Sequence, residues 1–321
     1  MSVILQMTAP VVDMIYKVRA LPVSGQEEAA ESFAMEVGGG FNAMAAARAA
    51  GADVRLGRRL GTGPLSDTVA TRLDERGIGT MEGRLPGLDQ GCCVVLLEPG
   101  GERSFVSYPG AEGTIRPADL AGLDLPDVSH VLLSGYVLHY DRARDALAPW
   151  IAALSRNITV VFDPSPVAHL IPSGVLAQVM ARADWISANE DEARHLTGRA
   201  DAPAAALALA AGRRGGALLR QGAAGCLLAT DGALERVPPH RVAPVDTNGA
   251  GDCHIGSFLA RLIAGDAPVA AARYANAAAA LSTTRFGPAT APARHEVEAI
   301  LKTQANDTQN GYITPNKEEI E

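Results

Sequence analysis

Apolar and polar positions along this chain switch repeatedly between the two-residue period of a strand and the 3.6-residue period of a helix. Ser2 to Ala9 predicts a first strand that continues past Pro10. Gly38 to Gly40 predict a glycine-rich turn into an alanine-rich helix over Asn42 to Ala50, stopped by Gly51. Val54 to Gly57 predicts a short strand, and Ser66 caps a helix that ends near Gly77. Gly91 to Glu98 and Arg103 to Tyr108, divided by Pro99-Gly100-Gly101, predict a β-hairpin that interrupts the alternation and points to a small separate sheet. From His130 onward, strands over Val131–Ser134, Ile158–Phe162, Trp185–Ala188 and Ala217–Arg220 alternate with helical stretches. A second hairpin follows over Cys226–Thr230 and Ala233–Val237, then one helix after Asp252 and another over Pro268 to Thr284. Such alternation predicts a parallel sheet with helices on both faces, whose ligands sit beyond the carboxyl ends of the strands.

The 321 residues suffice for a full core, and 47% hydrophobic with 20% charged residues is a globular composition. A net charge of -8 argues against a nucleic-acid partner, which needs a basic face. The N-terminus lacks the basic flank of a signal peptide and no long uninterrupted apolar run occurs, so the expectation is a cytoplasmic protein with no membrane partner. The four cysteines form no C-x-x-C, and the seven histidines show no ligand spacing. From about 303 to 321 the chain is polar, with four acids against Lys317, and is expected to be a disordered tail after a single domain of residues 1–302.

One run carries chemistry. Asp246-Thr247-Asn248-Gly249-Ala250-Gly251-Asp252 precedes helix-spaced Ile255, Phe258, Leu259 and Leu262. A glycine-rich turn at a helix start presents backbone N–H groups and the positive end of the helix dipole to an anion. Asp252, in the first turn beside that seat, is placed to take a proton from a hydroxyl that attacks phosphate. The run therefore predicts phosphoryl transfer to an alcohol.

This run resembles the D-T-x-G-A-G-D signature of the ribokinase-like (PfkB) carbohydrate kinases, and Gly38-Gly39-Gly40-Phe41-Asn42 is similar to their N-terminal glycine signature. The resemblance spans roughly residues 1 to 302. It implies an α/β fold, a three-layer α/β/α Rossmann-like core with a small β-sheet lid over about 12–36 and 86–112. It also implies ATP and Mg2+ as cofactors, with K+ as a further candidate, and a homodimer through the lid.

Residue by residue, it implies Asp252 as base, with Gly249, Ala250 and Gly251 as the anion hole. Asp13, matched to the aspartate at the end of the first strand, would hold the acceptor with Gly38, Gly39 and Asn42. Asn189, Gln221, Gly222, Gly225 and Asn276 would bind ATP, and Asn189 with Glu192 would hold Mg2+ through water. Asp246, Asn248, Thr283 and Phe286 would hold a monovalent cation. Asn189 to Glu192 is equally a helix capping box in its own right.

The departures lie on the acceptor side. Two residues rather than three separate Gly39 from Asn42, Thr8 stands where a glycine is common, and Asp163-Pro164-Ser165-Pro166 lacks the arginine of a D-x-N-x-R run. The implied activity is therefore kinase action on a small sugar, with a ribonucleoside 5′-hydroxyl as the alternative acceptor. A catalytically silent sugar or nucleotide sensor is the rival of another class, opposed by the intact Asp252 run. A dehydrogenase is disfavoured because no G-x-G-x-x-G follows the first strand.

Overall fold

The computed structural model describes residues 2–81 and 83–310. Among the described residues, thirteen strands are interspersed with helices: β1 (Val3–Gln6), β2 (Pro10–Lys17), β3 (Ser32–Gly39), β4 (Asp53–Leu56), β5 (Gly79–Thr80), β6 (Cys92–Leu97), β7 (Arg103–Tyr108), β8 (Val128–Ser134), β9 (Thr159–Asp163), β10 (Trp185–Asn189), β11 (Gly216–Arg220), β12 (Cys226–Thr230) and β13 (Ala233–Val237). Nine of them form the central sheet in the order β13-β12-β11-β10-β9-β8-β1-β4-β5. Eight run in one direction, and β12 alone opposes them, pairing antiparallel with β11 and with β13, the latter as the hairpin expected from the sequence.

Both faces of this sheet are apolar because alternate residues of each strand enter opposite cores. Ile4, Leu56, Leu132, Val161 and Leu218 pack beneath helices Gly40–Ala49, Ala250–Ile263 and Pro268–Ser282. Leu5, Val131, Leu133, Phe162 and Leu219 pack against helices Asp141–Ala153, Ser173–Arg182 and Ala202–Ala210. The result is a mixed α/β fold with a large central sheet flanked by helices. Helices Gly40–Ala49 and Ala250–Ile263 approach so closely that a Cβ on Gly256 would lie 2.2 Å from the Ala43 carbonyl oxygen.

A separate sheet, in the order β3-β2-β6-β7, stands apart from the first. The predicted first strand is in fact two. It breaks at Met7 to Ala9, so Asp13 lies inside β2 of the small sheet rather than at the end of β1. Ser66 does not cap its helix, which runs Pro64–Glu75 from Gly63. Asp89 does that work from a neighbouring loop, accepting from the Leu65 and Ser66 amides at 3.1 and 2.7 Å. The last helix, Arg294–Asn310, runs into the segment expected to be a tail from 303, and residues 311–321 lie outside the described residues. Among the described residues no helix is long and apolar enough to cross a membrane.

Candidate active site

The turn that ends at Asp252 is shaped by backbone sterics. Gly249 adopts φ +73°, and a Cβ there would meet the Pro288 carbonyl oxygen at 2.1 Å, so only glycine fits. Helix Ala250–Ile263 begins with no side-chain cap. The Ala250 amide closes the turn on the Thr247 carbonyl at 3.3 Å. The amides of Gly249, Gly251 and Asp252 have no acceptor among the described residues. These orphan donors at the positive end of the helix make a seat for an anion. The open donors at that seat are Gly249, Gly251 and Asp252, while the Ala250 amide is engaged within the turn.

Asp252 accepts a hydrogen bond from Asn42 Nδ2 at 3.0 Å. Burial pushes its carboxyl up to about 6, with Asn42 and Arg220 opposing the shift and Asp163 adding to it. Asn42 Oδ1 is buried without a partner, an open acceptor in a residue that lines the neighbouring cavity. Asp13 reaches the same cavity from β2. Its carboxyl is raised to about 7, first by burial and then by the charges of Asp252 and Glu36. Gly38 lies against it, where a Cβ would sit 2.2 Å from Asp13 Oδ2. Gly39 takes φ +61° at the helix N-cap, and Gly40 packs on the Thr8 carbonyl oxygen, 1.9 Å from where its Cβ would be. The structure therefore brings Asp13, Gly39, Asn42 and Asp252 to one cavity of about 440 Å³, with Gly38 backing Asp13.

Sequence reasoning missed most of the other walls of that cavity. Phe105 and Ser107 of β7, Cys93 of β6, and Tyr136 and Tyr140 beyond β8 line it. Tyr108 lines it as well. Glu112 also lines it while pinning both ends of the β6–β7 hairpin, accepting from the Gly91 amide at 2.7 Å and the Gly110 amide at 2.9 Å. That side-chain set depends on strand pairing, not on local sequence.

Arg220 is the larger omission. Its buried guanidinium donates to Asp163 Oδ2 at 2.8 Å, to Ser187 Oγ and to Glu192 Oε2 at 3.3 Å. It lies 3.6 Å from where a Cβ on Gly251 would stand, so it joins the anion seat to the far strand ends. The neighbouring carboxylates raise its proton affinity against the opposing effect of burial. It also supplies, from β11, an arginine for Asp163, whose own D-x-N-x-R run has none. A charged residue closing the apolar strand Gly216–Arg220 was the available signal.

On the far side, Asn189 and Glu192 do form a reciprocal capping box, each bond 2.8 Å. Burial and Asp163 push the Glu192 carboxyl up, partly offset by Arg220. Glu192 Oε1 is unengaged, and no group of three or more His, Cys, Asp or Glu gathers among the described residues. That donor set suits a Mg2+ held through water rather than by a protein cage. Gln221 opens the Gly222–Ala224 turn and donates to Glu190 Oε1 at 2.8 Å. Gly222 and Gly225 both take positive φ. The side chain of Asn276 is committed internally, donating to the Val237 and Pro238 carbonyls and meeting His254 Nε2 at 3.0 Å.

The residues expected to hold K+ do not fit it as they stand. The Thr283 carbonyl already accepts from the Val245 and Asp246 amides at 2.7 and 3.0 Å. The Asp246 carboxylate accepts from the Asn248 amide at 2.8 Å, the Gly287 amide at 3.2 Å and the Arg103 guanidinium. Phe286 has an exposed side chain, and the carbonyls of Asn248 and Phe286 carry no hydrogen bond among the described residues.

Comparison with known proteins converges on one family. The family model for pfkB family carbohydrate kinases matches residues 8–295. The Escherichia coli (strain K12) protein described as "Uncharacterized sugar kinase YegV" is 29% identical over 304 residues, 90% of this chain and 91% of that protein. Bacillus subtilis (strain 168) ribokinase is 28% identical, covering 90% of this chain and 96% of its own. The crystal structure of Thermotoga maritima ribokinase superimposes with a TM-score of 0.80 at 25% identity, over 94% of this chain and 99% of that one.

Proposed function

We propose that this chain, which belongs to the pfkB family of carbohydrate kinases, transfers the γ-phosphoryl group of ATP to a hydroxyl of a small sugar. The observation that carries the proposal is the buried Asp252 carboxylate beside three unpartnered amides at a helix N-terminus, at the edge of a cavity. Phosphoryl transfer asks mainly for positioning and charge stabilisation. The amides of Gly249, Gly251 and Asp252 receive the phosphoryl oxygens. Asp252, its carboxyl raised to about 6 by burial, takes the hydroxyl proton as the bond to phosphorus forms. Asn42 orients Asp252 and offers Oδ1 to a second hydroxyl, and Asp13 holds the acceptor from the lid side. The Gln221–Gly225 turn supports the nucleotide phosphates, and Asn276 shapes the nucleotide wall by fixing the backbone at 237–238. When bound, Mg2+ neutralises nucleotide phosphate charge, held through water by Asn189 and Glu192.

A nucleoside acceptor is the second reading, favoured by the aromatic wall of Phe105, Tyr108, Tyr136 and Tyr140, which offers π-faces to a base. The outer lid face exposes Phe33, Met35 and Val106, an apolar surface that supports pairing with a second copy, to be checked by sedimentation. The test of function is ATP turnover against a panel of pentoses, hexoses and ribonucleosides. Turnover with sugars supports the first reading, turnover with nucleosides alone replaces it by the second, and none across the panel overturns both.

A further inference from the structure

Arg103 belongs to the lid strand β7, yet its guanidinium pairs with Asp246, which opens the anion-seat turn 143 positions later. The pair is enclosed: the side chains are 18% and 4% exposed. Asp246 is not a bystander. Its Oδ1 takes the Asn248 amide inside the turn, and its Oδ2 takes the Gly287 amide next to Pro288, whose carbonyl abuts Gly249. The carboxylate therefore fixes both walls behind the anion seat, and a buried carboxylate is costly without a charge partner.

We propose that Arg103 is a positioning residue that supplies this charge from the lid, in place of a monovalent cation. Asp246 is engaged by Arg103 and Thr283 by two amides, so no seat of that kind is open while the lid rests on the turn. The contact joins lid to turn directly, so lid closure and the shape of the anion seat are one event. Removing the guanidinium frees the Asp246 carboxylate, with the unengaged Asn248 and Phe286 carbonyls on the same two segments as a set of oxygen donors that a small cation can enter.

This inference rests on the kinase reading but is tested without an acceptor, by MgATP binding measured calorimetrically in KCl and in tetramethylammonium chloride at equal ionic strength. The parent protein binds equally in both salts. Arg103→Ala binds about tenfold more weakly in tetramethylammonium chloride and recovers most of that loss in KCl, whereas Arg103→Lys keeps most of the parent affinity in either. Three results overturn the proposal: a parent that needs KCl, an Arg103→Ala protein that binds as the parent does in both salts, or an equal loss in both, which assigns Arg103 to lid structure alone. A protein that binds MgATP in this pattern but phosphorylates nothing in the panel separates failure of the function from failure of this inference.

Discussion

The two halves of the site are built by different means. The phosphoryl half is backbone: a positive-φ glycine under a carbonyl, three open amides and the start of a long helix. The acceptor half is side chain: a carboxylate from β2, an amide from helix Gly40–Ala49, aromatics from β7 and from the segment after β8. A backbone device tolerates few sequences, because each glycine answers to a specific collision or dihedral. A side-chain wall tolerates many, so it is where one fold accepts different substrates.

The sharpest break in that comparison is expected at Gly249. Gly249→Ala collides with the Pro288 carbonyl and strains a left-handed residue, so turnover should fall on the order of 1,000-fold, as for loss of an oxyanion-type donor. Steady-state kinetics on any accepted sugar or nucleoside checks this, and near-parental turnover would remove the backbone account.

Arg220→Met comes next. It leaves Asp163, Glu192 and Asp252 without their shared cation, which should cost about 3 kcal/mol of stability in denaturant unfolding. Because Arg220 holds the Asp252 carboxyl down, the acid limb of the pH–rate profile should also move to higher pH. An unmoved limb would show that Arg220 supports the fold without tuning the base.

The smallest effect concerns pH and stability. Asp13 and Asp252 have folded-state pKa values raised to about 7 and about 6, from an ordinary 3.8. Their contribution to stability is thus full below about pH 4 and is lost as pH rises through 6 to 7. Asp13→Asn removes its share of that loss and should be ~1–2 kcal/mol more stable than the parent at pH 8, the gap closing near pH 4. A variant less stable than the parent at pH 8 would show that Asp13 is satisfied in the unliganded protein.

What the chain disclosed in advance follows the same division. The strand and helix order was legible because each buried strand is an apolar run bounded by turn residues, and the hairpin Cys226–Thr230 with Ala233–Val237 matches residue for residue. The Asp246–Asp252 run was legible because its glycines are steric necessities. Asp13 was named, but its strand was misjudged: Pro10 begins β2 after a break at Met7 to Ala9, where local apolarity continues and pairing does not. The Asp89 cap, the Arg220 cluster and the Arg103–Asp246 pair were not legible. Each joins residues far apart in sequence, and nothing local marks an arginine or aspartate for a particular distant partner.

The central claim is that Asp252 acts on the acceptor hydroxyl while the anion seat belongs to the backbone around it. Asp252→Asn, with MgATP affinity measured by calorimetry and turnover measured on the same preparation, separates the two. The account predicts MgATP affinity within about threefold of the parent and turnover lower by at least about 100-fold. Turnover within about tenfold of the parent at unchanged affinity would contradict it.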